Sequence, residues 1–111
     1  MNWTNISDIA ELETIKEKSF SQPQVIFKHS TRCSISSMAK SRLERSKSPE
    51  EGIQFYYLDL IAYRNISNGI AQAFDVEHAS PQVLVIKNGE CVYDESHSGI
   101  DMDEIVEQAT K

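Results

Sequence analysis

The segment Thr31-Arg32-Cys33-Ser34-Ile35-Ser36 brings together a thiol, a guanidinium and three hydroxyls within six residues. It follows the apolar run Val25-Ile26-Phe27 and precedes a stretch with helical spacing, so Cys33 falls where a strand gives way to a helix. Unpaired N–H groups at a helix start stabilise an anion, which favours ionisation of a thiol to the nucleophilic thiolate. Arg32 adds a positive charge next to it. Ser36, one turn on, has a hydroxyl that could donate to the sulfur. A Cys-x-x-Ser arrangement keeps the attacking thiol of a redox motif and lacks the resolving one.

The other thiol chemistries fit less well. Zinc draws on four clustered Cys and His ligands, whereas the chain has two cysteines, Cys33 and Cys91, and three scattered histidines, His29, His78 and His97. The first residues show neither a basic region nor a continuous apolar stretch of the kind that marks export. A cytoplasmic chain is therefore expected, where a structural disulfide would not persist. The sequons at Asn2, Asn5 and Asn65 then carry no chemistry.

With 111 residues, 40% apolar and 25% charged, the chain reads as one globular domain over residues 1–111. A net charge of −6 without a dense basic stripe argues against nucleic acid and against an anionic membrane surface. No apolar run is long enough to span a bilayer.

The elements that must position Cys33 follow from periodicity. Ile9, Leu12 and Ile15 predict a helix over 8–18 with Ser7 as its cap. A strand is predicted over 24–29. A helix over about 33–47 has Ile35, Met38, Ala39 and Leu43 available for one buried stripe, with Lys40, Arg42, Arg45 and Lys47 on a solvated face. A second strand covers 53–58, and a helical pattern runs to Phe74, locally weakened by Asn68-Gly69. Residues 82–93 read as a hairpin turning at Asn88-Gly89, since Asn-Gly supplies positive φ angles. A last helix follows Asp101. The alternation predicts an α/β fold whose first two core strands pair in parallel.

Three segments together, Lys28-His29-Ser30-Thr31-Arg32-Cys33-Ser34-Ile35-Ser36, His78-Ala79-Ser80-Pro81-Gln82-Val83-Leu84 and Ser96-His97, are much more specific than any one alone. On them the whole chain resembles the bacillithiol-system YtxJ-like family, the monothiol bacilliredoxins of the thioredoxin-like superfamily. The resemblance implies a thioredoxin-like fold: a four-stranded mixed sheet flanked by helices, with an additional N-terminal helix. It also implies a function that spacing does not show, the removal of bacillithiol from mixed disulfides on client proteins. Cys33 would be the nucleophile, bacillithiol the co-substrate, and no cofactor would be tightly bound. Ser34 stands where many relatives have Pro, which alters local rigidity and hydrogen bonding beside the sulfur.

The resemblance further implies a cis Ser80-Pro81 bond facing Cys33, with Ser80 offering backbone groups to a client. It also sets His97 in a loop that overlooks the site. Thr31, Arg32, Ser34, Ser80, Pro81 and His97 are thus candidate substrate contacts, and Cys33 and Ser36 candidate catalytic residues. Cys91 is expected as a small apolar strand residue, and His29 and His78 as solvated polar ones. Trp3, Tyr56 and Tyr57 are expected as packing residues. Two rival functions stay open: an iron-sulfur or metal carrier using one thiolate per subunit, and a binding module without turnover.

Overall fold

The computed structural model describes residues 3–30, 34–45 and 52–111. Five strands, β1 (Thr4–Asn5), β2 (Gln24–His29), β3 (Gln54–Asp59), β4 (Gln82–Lys87) and β5 (Glu90–Ser96), form one mixed sheet in the order β1-β3-β2-β4-β5. β2 and β3 pair in parallel from Gln24↔Gln54 to His29↔Asp59, as predicted for consecutive strands joined by a helix. β4 runs antiparallel to both β2 and β5. The sequence led to four strands; the fifth is the two-residue β1, parallel to β3 through Thr4↔Tyr56 and Asn5↔Tyr57. So short a strand has no periodicity of its own to read.

Among the described residues four helices cover the sheet: α1 (Glu11–Lys18), α2 (Ser34–Arg45), α3 (Arg64–Ala73) and α4 (Met102–Thr110). One face buries Leu12 and Ile15 of α1 and Ile66 and Ile70 of α3 against Ile26, Leu58, Leu84 and Ile86. The other buries Ala39 and Leu43 of α2 and Met102, Ile105 and Ala109 of α4 against Val25, Phe27, Val83 and Val85. Because β2 is central and covered on both faces, all six of its residues are buried.

The hairpin is as expected, with Asn88 at φ 55° and Gly89 at φ 83°, and Asp101 caps α4 by accepting from the Glu104 N–H. Two local expectations are corrected. The N-terminal helix begins at Glu11 without a side-chain cap; Asp8 Oδ1 instead accepts the Ala10 N–H in a preceding turn, leaving Ile9 half exposed. In α2 the buried stripe is Ser36, Ala39 and Leu43, whereas Ile35 and Met38 are 51% and 64% exposed. The helix is rotated by about one position, which turns a serine rather than a large apolar residue onto the sheet. In α3, Gly69 does not interrupt the helix: a Cβ there would meet Ile9 Cδ1 at 3.1 Å and Leu12 Cδ1 at 3.2 Å, so its lack of a side chain admits this close approach.

Candidate active site

One end of the sheet collects the end of β2, the start of β4, the end of β5 and the first turn of α2. Thr31, Arg32 and Cys33 lie outside the described residues, and their neighbours on either side are Ser30, just past β2, and Ser34, which opens α2 with its side chain exposed.

Ser36 is fully buried. Its Oγ accepts the Ser30 backbone N–H at 3.0 Å and lies 2.7 Å from His29 Nδ1. His29 is not the solvated residue expected from sequence: it is 4% exposed and lies between the rings of Phe27 and Tyr57, at centroid distances of 5.8 and 5.6 Å. Burial, followed by the Lys40 ammonium, pushes its pKa below the ordinary histidine value, with Asp59 acting the other way. The imidazole is therefore neutral at pH 7, with a proton on one nitrogen only. With that proton on Nε2, Ser36 must donate to Nδ1. With it on Nδ1, the ring and the Ser30 amide both donate to Oγ, and the hydroxyl proton is left to point elsewhere. The signal for His29 was in the sequence. Val25, Phe27 and His29 share one face by strand alternation, and that face is the one α2 covers.

The Ser80-Pro81 bond is cis, as expected. Pro81 is buried and joins β4. Its carbonyl accepts the His97 N–H at 3.1 Å, tying the proline loop to the turn His97–Gly99 that links β5 to α4. His97 is exposed, at φ 56°. Arg42 of α2 donates to the Ile100 carbonyl at 2.9 Å, binding the same turn to the helix. The structure thus brings Ser36, Ser80, Pro81 and His97 to one end of the sheet, with Pro81 joined to His97 by a backbone hydrogen bond.

A second polar group here escaped the sequence reading. Lys28 alternates with His29 and so faces the opposite helix layer, where it is fully buried. Its Nζ donates to the Ser67 carbonyl at 3.3 Å and to His78 Nδ1 at 3.4 Å, and burial lowers its pKa to about 8. His78 is exposed but not merely solvated, since Ser67 Oγ also lies 3.2 Å from Nδ1.

Cys91 matches its expected role. It packs against the α1–α3 cluster, its Sγ donates to the Tyr93 carbonyl at 3.2 Å, and burial pushes its thiol up to about 11. Trp3 likewise packs, against Phe27, Phe55 and Tyr57. Among the described residues no group of three or more His, Cys, Asp or Glu side chains could hold a metal ion. Among them, too, no helix is long and apolar enough to cross a membrane.

A family model described as Monothiol bacilliredoxin BrxC matches residues 4–105. Among solved structures, one described as a candidate oxidoreductase with a thioredoxin fold superposes with a TM-score of 0.78 at 29% identity, covering 97% of this chain and 93% of that one. Malassezia sympodialis thioredoxin gives a TM-score of 0.79 at 16% identity, over 99% and 92% of the two chains. Spinach chloroplast thioredoxin f gives 0.77 at 13%, over 99% and 88%. The latter two establish the fold alone, which is the thioredoxin fold.

Proposed function

The chain belongs to the monothiol bacilliredoxin family of thiol redox proteins, and from that premise we propose that it removes bacillithiol from client mixed disulfides through Cys33. It acts in the cytoplasm as one thioredoxin-like domain over residues 1–111, with bacillithiol as co-substrate and no tightly bound cofactor. The Cys33 thiolate attacks the bacillithiol sulfur of the client mixed disulfide. That S–S bond breaks, the client leaves as a thiolate and takes a proton from water, and a Cys33–bacillithiol disulfide forms. A second bacillithiol thiolate attacks this disulfide, returning the Cys33 thiolate and releasing oxidised bacillithiol.

The observation that carries this reading is the residue at the resolving position. Ser36, three residues after Cys33, is buried and held by His29 and the Ser30 amide, and a hydroxyl cannot close a disulfide. For it to serve the sulfur instead, His29 must carry its proton on Nδ1, leaving the Ser36 proton free to donate to the thiolate. Cys91 is a poor substitute for a resolving thiol. It packs on the sheet face opposite α2 and stands five residues along β5 from Ser96, about 17 Å at the rise of a strand. A disulfide needs Cα atoms within about 7 Å. Thr31, Arg32, Ser34, Ser80, Pro81 and His97 would line the approach of the client and the small thiol, with Ser80 presenting backbone groups to an extended segment.

The test is exchange on a bacillithiolated client with wild type and Cys33→Ser, followed by intact mass of the oxidised wild type. Loss of exchange in the variant and one bacillithiol on Cys33 in the wild type are expected. A species lighter by two hydrogens, carrying a Cys33–Cys91 bridge, would overturn the monothiol mechanism.

A further inference from the structure

The exchange proposed above makes no use of the cluster beneath the proline loop, although its chemistry is specific. Lys28 Nζ and Ser67 Oγ both address one nitrogen, His78 Nδ1, at 3.4 and 3.2 Å. An ammonium has only donors, so Nδ1 is the acceptor and the ring proton sits on Nε2. The second acceptor for Lys28 is the Ser67 carbonyl at 3.3 Å, and the lysine is wholly buried. Its position is therefore fixed by the sheet and α3.

His78 itself is exposed. Burial, then the charge of Lys28, lowers its pKa, so at neutral pH the ring is a neutral donor with a cation behind it. The loop that carries it is held to the sheet: Gln82, the cross-strand partner of Lys28, donates its side-chain amide to the Glu77 carbonyl at 2.9 Å. His78 stands two residues before Ser80 of the cis Ser80-Pro81 bond. An N–H backed by a buried ammonium and aimed outward from a fixed loop suits an anion that offers one oxygen.

We propose that Lys28, Ser67 and His78 form a carboxylate-recognition site at the rim of the active site, which holds an acidic group of the mixed disulfide while Cys33 attacks. The inference rests on the exchange reading and adds a substrate feature to it. His78 makes the contact through Nε2–H. Lys28 is a positioning residue that fixes the tautomer and supplies the charge. The carboxylate can belong to the small thiol or to an acidic client residue beside the modified cysteine; the chemistry is the same.

Three disulfide probes separate these sources: a neutral peptide joined to 3-mercaptopropionate, the same peptide joined to 2-mercaptoethanol, and a peptide with Asp beside its cysteine joined to 2-mercaptoethanol. Wild type should favour a carboxylate-bearing probe by about three- to fivefold in kcat/KM, the size of an exposed charge contact, and the difference should lie in KM. Preference for the first probe assigns the carboxylate to the small thiol, and preference for the third assigns it to the client. Lys28→Met and His78→Phe should each erase the preference while alkylation of Cys33 by neutral iodoacetamide stays unchanged. Equal rates on all probes in wild type, or a preference that survives both variants, would overturn the proposal.

A readout independent of turnover keeps the site testable if exchange itself fails. The side-chain 15N resonances of His78 should show Nε2 protonated and Nδ1 bare, and should shift saturably with succinate but not with succinamide. Lys28→Met should abolish that response. A proton on Nδ1, or no response to succinate in wild type, would refute the site whatever the exchange assay gives.

Discussion

Removing the Ser36 hydroxyl tests the frame around Cys33 most directly. Ser36→Ala takes away the partner of two groups at once, the part-buried Ser30 N–H and the buried His29 Nδ1. Each buried polar group left unpaired costs about 1–3 kcal/mol, so the variant should lose on the order of 2–4 kcal/mol. The urea midpoint should then fall on the order of 2 M for a domain of this size. His29→Phe removes the other end of the contact, and the new ring would join Phe27 and Tyr57, which His29 already touches. It should cost less, about 1–2 kcal/mol, because Ser36 keeps the Ser30 amide. In the double variant only that amide stays orphaned, so the loss should be no greater than for Ser36→Ala alone. Urea titrations of the four proteins should thus give a coupling of about 1–2 kcal/mol in the direction that makes the double variant less damaged than the sum. Additivity within about 0.5 kcal/mol would refute the idea that the two side chains act as a unit.

Two other outcomes follow from buried ionisable groups. Lys28 has a folded pKa of about 8 against 10.5 for the free side chain, so between these values the unfolded chain holds a proton that the folded one does not, and stability contributed by this group rises with pH. Relative to wild type, Lys28→Met should lose about 3 kcal/mol of advantage between pH 8 and pH 10.5; a pH-independent difference in unfolding free energy would show that the lysine is not desolvated as described. The Cys91 thiol, raised to about 11, should be only roughly one part in a thousand thiolate at pH 8. It should alkylate at an appreciable rate only after unfolding, and Cys91→Ala should exchange client disulfides as fast as wild type, a slower rate being the contrary result.

Local pattern carried much of the fold. The strand β2, the Asn88-Gly89 turn and the Asp101 cap are set by neighbouring residues, and each stands as expected. Patterns that depended on how elements meet were read less well. The first turn of α2 offers Ile35 and Met38 as plausible core, and sequence favours them on hydrophobicity. The sheet below is met instead by Ser36, alongside the expected Ala39 and Leu43, because the hydrogen bonds of Ser36 to His29 and the Ser30 amide are available in that rotation.

What the sequence by itself determined was the set of residues that share a face, together with the motif segments that mark the family. Strand alternation put His29 with Val25 and Phe27, and Lys28 with Ile26, whatever the rest of the chain did. What only tertiary structure decided was which neighbour each face meets. β2 became the centre of a five-stranded sheet with a helix layer on either side, so a histidine and a lysine that would be solvated on an edge strand were both buried. Burial then required partners, and these came from 7 residues away for His29 and 39 and 50 residues away for Lys28. Periodicity is a property of a few consecutive residues, whereas the cost of burying a polar group, and the partner that offsets it, arise between segments far apart in the chain.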